Sequence, residues 1–300
     1  VQATVVITTR NRKQDLRQAI ESALTQTAKP NVLVVDDGST DGTAEMVRAD
    51  YPAVQLERAE KSLGYIVQRT RAATLATTEI IISIDDDAAF STPHVVQQTL
   101  ADFDHPRVGA VAIPFINVNR ENVVHQRAPD DTHVVATSDY IGTAHAVRRQ
   151  LFLDIGGYRS FLFHQGEERD FCIRMLDRGF VVRLGRADPI LHYESPRRDI
   201  RRMDLFGRRN DILFVWHNVP GLQFPVFLLG WTYLGLAFGF KVRRPMVMIR
   251  GLGMGYAGIL HEWSKRKPVT SSTHRLFRRL NREKLAIEKF EQSLPALPSA

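Results

Sequence analysis

Runs of β-branched and aliphatic residues recur through the first part of the chain, each closing on polar residues: Thr4-Val5-Val6-Ile7-Thr8, Asn31-Val32-Leu33-Val34-Val35 and Ile80-Ile81-Ile82-Ser83-Ile84. Such unbroken apolar runs read as strands buried on both faces. Between them the apolar spacing becomes helical. Leu16, Ala19, Ile20, Ala23 and Leu24 fall on one face of a helix predicted from about Lys13 to Gln26, and Ala44-Glu45-Met46-Val47 begins another behind Gly42. The alternation of strand and helix predicts an α/β fold with a Rossmann-like, mostly parallel central sheet flanked by helices. Farther on, Phe171, Met175 and Leu176 define an amphipathic helix that Gly179 should end, and Pro189 to Ser195 reads as a short strand. Residues 116–133 read as a long polar loop, of the kind that often forms a lid or binding segment.

Two of the predicted strands run into acidic turns. Asn31–Val35 leads into Asp36-Asp37-Gly38-Ser39-Thr40-Asp41-Gly42-Thr43, and Ile80–Ile84 leads into Asp85-Asp86-Asp87. Open α/β sheets bind ligands at the C-terminal ends of their strands, so both turns belong on the same edge. In an extended segment Asp85 and Asp87 point one way and Asp86 the other. Two hard oxygen donors on one side suit Mn²⁺ or Mg²⁺, which leave positions open for phosphate oxygens. An acidic turn before a helix, announced here by Ser91-Thr92-Pro93, explains the same residues without a metal. The second acidic turn favours the metal.

The segments Thr8-Thr9-Arg10-Asn11-Arg12, Val34–Thr43 and Ile84-Asp85-Asp86-Asp87-Ala88 resemble the three N-terminal motifs of family 2 glycosyltransferases, which have the GT-A fold. The resemblance covers roughly residues 3–215. It implies transfer of a sugar from a nucleotide-diphosphate donor to an acceptor hydroxyl with inversion, in polysaccharide, glycolipid or cell-envelope glycan synthesis. It places Thr9 and Arg10 in the first motif, Asp36 or Asp37 against the nucleoside, Asp85 on the ribose beside Asp86, and Asp87 on the metal. Leu63-Gly64-Tyr65 with Arg69 and Arg71 is similar to an Asn-x-Gly segment followed by an Arg-bearing helix that contacts phosphate or base. Ser62 replaces the Asn.

Gly166-Glu167-Glu168-Arg169-Asp170 is similar to the family's Glu-Asp-x-Asp motif, which makes Glu168 the implied base, with Glu167 and Asp170 as neighbouring alternatives. An ordinary helix face accounts for Asp170 and Arg174 as an i,i+4 pair. His192 ends the short strand and is a candidate third metal ligand. Arg197, Arg198, Arg201, Arg202, Arg208 and Arg209 follow, and guanidinium groups there could close over a departing diphosphate. Asp139, His145, Tyr158 and His164 are candidates to line the sugar or acceptor pocket.

Composition narrows the alternatives. A single cysteine, Cys172, excludes an intramolecular disulfide. The chain opens on a strand and not on a secretory signal, which suits a cytoplasmic enzyme, peripheral on the cytoplasmic face of the membrane. A nucleotidyltransferase would need a Gly-rich phosphate loop after the first strand, and Thr8–Arg12 has none. A lipid-binding scaffold would leave the acidic turns idle. The division expected is a catalytic unit over 1–215 (donor half 1–115, acceptor half 116–215) and a helical apolar and basic region over 216–300.

In that region two apolar runs, Pro225–Phe240 and Met246–Leu260, flank Lys241, Arg243 and Arg244. An in-plane helical pair on an anionic membrane, with Trp231, Tyr233 and Phe238 in the headgroup region, fits better than a short hairpin across it. A buried subdomain or a homo-oligomer interface is the other reading. An amphipathic helix is expected from Arg275 to Phe290, and Pro295 and Pro298 close the tail. The net charge of +7 could also draw nucleic acid, but no nucleic-acid motif accompanies it.

Overall fold

The computed structural model describes residues 2–195 and 199–297. Arg197, Arg198 and Pro298 lie outside the described residues. Parallel strands β1 (Ala3–Thr9), β2 (Asn31–Asp36), β3 (Gln55–Arg58) and β4 (Ile80–Asp85) alternate with helices α1 (Lys13–Leu24), α2 (Thr43–Asp50) and α3 (Tyr65–Leu75). β1 lies between β2 and β4, so the acidic turns that follow β2 and β4 flank the end of β1. β1, β2 and β4 are buried along nearly their whole length, which is why their sequences are unbroken apolar runs, whereas β3 is a partly exposed edge strand.

The main sheet continues through β6 (Val108–Ala112), β9 (Val135–Thr137), β10 (Ala144–Arg148) and β11 (Val181–Leu184). β10 is antiparallel between β4 and β6, and β11 pairs in parallel with β6. A second sheet stacks β5 (Ala88–Phe90), β12 (Ile190–His192), β7 (Phe115–Asn117) and β8 (Val124–His125). It gives structure to part of the predicted 116–133 loop. Helices α4 (Val95–Ala101), α5 (Arg149–Asp154) and α6 (Glu167–Leu176) complete this portion, and Gly179 follows α6 at φ +83°.

The C-terminal region is largely helical, as expected, and packs onto the rest of the fold. α7 (Ile200–Asn218) runs across the expected boundary at 215, and α8 (Phe224–Lys241) and α9 (Pro245–His261) pack along it. α10 (Ser271–Arg282) ends well before Phe290. β13 (Leu285–Ala286) then pairs antiparallel with β9 and extends the main sheet to nine strands. Ile287 and Phe290 therefore enter the core from an irregular segment, which an amphipathic pattern alone could not distinguish from a longer helix.

Candidate active site

A cleft of about 880 Å³ opens at the C-terminal ends of β1 and β4. β4 delivers Asp85, and the turn after it delivers Asp86 and Asp87. The small sheet then matters: β12 pairs with β5, and the Tyr193 N–H donates to the Asp87 carbonyl at 2.8 Å, which fixes His192 beside the turn. His192 Nε2 lies 3.3 Å from Asp87 Oδ1 and 4.0 Å from Asp85 Oδ2. Its Nδ1 lies 2.7 Å from Asn117 Oδ1 on β7, a contact that fixes the ring with Nε2 toward the carboxylates. Two carboxylates and one imidazole, with donor atoms all within 4.8 Å of one another, form a hard, mixed O/N set that fits Mn²⁺ or Mg²⁺.

Arg12 meets the same turn from the other side. It donates to Asp86 Oδ1 at 3.1 Å and Asp87 Oδ2 at 2.5 Å. Burial acts to raise the Asp87 carboxyl, but His192 and Arg12 outweigh it and hold it at about 2. Asp86 points aside, as alternation requires, and accepts from the Thr9 hydroxyl at 2.8 Å. Its deeper burial pushes its carboxyl up to about 7 despite Arg12.

The turn after β2 separates its two acids. Asp37 lines the cleft and accepts from Ser62 Oγ, the Leu63 and Gly64 N–H groups and Gln68 Nε2, at 2.6 to 3.0 Å. Burial would raise it, but these four donors hold it below the ordinary carboxylate range. Ser62, where the resemblance expects Asn, donates one of these bonds. Gly38 sits at φ +74°, and a Cβ there would lie 3.1 Å from the Lys61 backbone.

α6 brings Glu168 to the cleft, while Glu167 is wholly buried behind it. Arg69 lies between these acids and the acidic turn, 2.5 Å from Asp85 Oδ1 and 3.6 Å from Glu167 Oε1. Burial and the adjacent Glu168 charge push Glu167 well above its ordinary range. Burial also raises Glu168, with Arg69 opposing. The Tyr65 hydroxyl ties α3 to this corner, accepting from the Gln165 N–H at 2.8 Å and donating to Glu167 Oε2 at 3.3 Å.

The sequence profile described as Glycosyl transferase family 2 matches residues 4–164, more than half of the chain. The chain belongs to glycosyl transferase family 2. It is 27% identical over 222 residues to the uncharacterized glycosyltransferase YwdF of Bacillus subtilis (strain 168), covering 70% of this chain and 81% of that relative. Mannosyltransferase PcManGT from Pyrobaculum calidifontis, in complex with GDP-Man and Mn²⁺, superposes with a TM-score of 0.60 at 20% identity, over 93% of this chain and 79% of that one. S. aureus TarS 1-349 in complex with UDP-GlcNAc gives 0.60 at 16% identity, over 97% and 90%. These structural likenesses carry the GT-A fold. The chain spans from about half to four fifths of the length of the curated relatives it matches.

Within this family 2 enzyme, Thr9, Arg10, Asp37, Arg69, Asp85, Asp86, Asp87, Glu168, His192 and His164 all border one cleft. Other expected residues lie elsewhere. Asp36 is fully buried away from the cleft, accepting from the Ser39 N–H at 2.9 Å and facing Arg58 at 3.5 Å, because adjacent strand positions point to opposite sides. Arg71 turns outward to Glu57. Asp170 is sealed in a structural cluster, 2.7 Å from Arg159, 3.0 Å from Arg174 and 2.8 Å from Asn218, which removes it as an alternative base. His145 and Tyr158 are buried, bonded to each other at 3.1 Å, and Asp139 accepts from Ser138. Arg208 pairs with Asp211 and Arg209 donates to the Phe161 carbonyl, whereas Arg202 borders the cleft. Sequence reasoning assigned no role to Arg12 or Asn117: Arg12 stands inside the first motif and Asn117 in the polar loop, but their partners are far off in sequence.

Proposed function

We propose that this cleft binds a nucleotide-diphosphate sugar with Mn²⁺ or Mg²⁺ and transfers the sugar, with inversion, to a hydroxyl of a glycan or glycolipid of the cell envelope. The observation that carries this reading is the convergence of the Asp85, Asp87 and His192 donor set with the Glu168 carboxylate on a single cleft. Asp37, with its Ser62 and Gln68 partners, faces the nucleoside. Arg10 and Arg12 supply positive charge at the diphosphate end. A divalent cation held by Asp85, Asp87 and His192 would neutralise the charge of the leaving diphosphate. GDP-Man with Mn²⁺ in PcManGT and UDP-GlcNAc in TarS support a sugar-nucleotide donor of this kind.

Glu168 takes the proton from the acceptor hydroxyl as that oxygen attacks the anomeric carbon. The anomeric carbon's bond to the diphosphate oxygen breaks, and its electron pair leaves with the nucleoside diphosphate. Attack from the face opposite the leaving group inverts the centre. Arg69 holds Asp85 and the buried glutamate in register, so that donor and base are positioned before reaction.

The test pairs binding with transfer. UDP-, GDP- and dTDP-sugars are screened for a rise in melting temperature with and without Mn²⁺, and the productive donor is assayed for turnover. Glu168→Gln should keep the metal-dependent shift and lose transfer by at least about a hundredfold. Normal transfer by Glu168→Gln rejects the base, and the absence of any metal-dependent shift rejects the donor site.

A further inference from the structure

The α7, α8 and α9 bundle leaves one two-helix face uncovered. Val226, Leu229, Tyr233 and Phe240 on α8 and Met246 and Leu260 on α9 are 69–75% exposed. Their spacing places each set along one stripe of its helix. A hydrogen bond of 2.7 Å between the Thr232 and Tyr256 hydroxyls joins the helices. The opposite sides pack too closely for any side chain: a Cβ at Gly239 would lie 2.7 Å from Met248, and one at Gly251 2.5 Å from the Leu205 carbonyl. The outward stripe is thus the unpartnered side of a well-packed unit.

Its charge is one-sided. From Phe224 to His261 there is no Asp or Glu, while Lys241, Arg243 and Arg250 are exposed. Arg244, at the tip between α8 and α9, donates to Asp204 at 2.6 Å. Asp204 follows Met203 on α7, and Met203 and Arg202 border the cleft. The basic tip therefore stands at the end of the bundle where the cleft opens.

We propose that the α8–α9 face lies in the plane of an anionic lipid surface, with its basic tip among the headgroups, and that the cleft beside Met203 takes acceptor hydroxyls borne by that surface. The second clause rests on the transferase reading of the cleft. Apolar stripes and unopposed cations together fit a bilayer interface. A second copy fits less well, since its own face offers these cations no carboxylate. α8, at 18 residues, is long and apolar enough to cross a membrane, but α9, at 17 residues and carrying Arg250, does not join it as a second span among the described residues, so the pair suits the interface better than a hairpin through the bilayer.

Flotation of the full chain with phosphatidylcholine vesicles, with and without phosphatidylglycerol, tests this. Binding should require the anionic lipid. It should fall about fivefold for each charge removed in Lys241→Gln and Arg243→Gln, and disappear in the Leu229→Asp/Tyr233→Asp double variant. The Mn²⁺-dependent donor shift, retained in each variant, reports intact folding. Failure of the unaltered chain to float, or flotation unaffected by the double variant with its donor shift intact, overturns the docking face. So does a concentration-dependent dimer that the double variant abolishes without any vesicle binding. Flotation by a chain that shows no donor shift supports docking and removes the acceptor clause along with the transferase reading.

Discussion

Gly142 shows how closely this site is built at the level of single residues. A Cβ on it would lie 2.5 Å from Glu168 Oε1 and 2.6 Å from an Arg69 nitrogen, both movable ends of side chains. Gly142→Ala should therefore displace the two groups and leave the fold standing. We expect kcat to drop about tenfold or more with a melting temperature within a few degrees of the parent, read by steady-state kinetics and thermal denaturation. Glu168 also sets a pH dependence. Its buried carboxyl titrates above the ordinary glutamate range, so transfer should rise with pH through a limb above about 4.3, and this limb should be missing from the residual rate of Glu168→Gln. Asp85 and Asp87 were legible in the sequence because a buried strand must end where its apolar run does. Arg12 was not, because an ion pair reaching across 75 positions leaves no local signature.

Among the elements, α6 divides its acids by direction. Glu168 faces the cleft, while Asp170 turns inward to Arg159 and Arg174. Burial would raise Asp170, but the two guanidinium groups and Asn218 hold it below its ordinary value. A carboxylate depressed in the folded state contributes stability that is complete above its unfolded value, about 3.9, and is lost as pH falls through the folded one. Asp170→Asn should cost about 3–5 kcal/mol at neutral pH in denaturant unfolding and flatten the acid limb of the stability profile. The helical spacing was readable from Phe171, Met175 and Leu176; which acid faces the cleft was decided by α7, α10 and β11, against which the helix packs. α8 makes the same point differently. It is apolar on nearly every side, so its sequence could not say that Trp231 faces inward, with the Arg169 guanidinium 5.1 Å from its ring.

On the scale of the whole molecule, the C-terminal tail closes the structure. β13 covers the edge of β9, Leu285, Ile287, Phe290 and Leu294 are buried, and Arg107 donates to Glu291 and to the Pro295 carbonyl. Deleting residues from Lys284 onward should cost on the order of 6 kcal/mol from those four side chains alone and expose an unpaired strand edge, seen as a lower melting midpoint and a tendency to aggregate. The sequence by itself determined the alternation of the first half, the parallel sheet and the two acidic turns on one edge, because period and strand burial are local properties written into every residue. The tertiary structure brought His192, only a candidate in the sequence, beside Asp85 and Asp87, and it alone decided that Arg69 bridges Asp85 and Glu167 and that the tail returns as a strand. Each of those depends on which distant segments pair, and pairing is fixed by the packing of the complete chain.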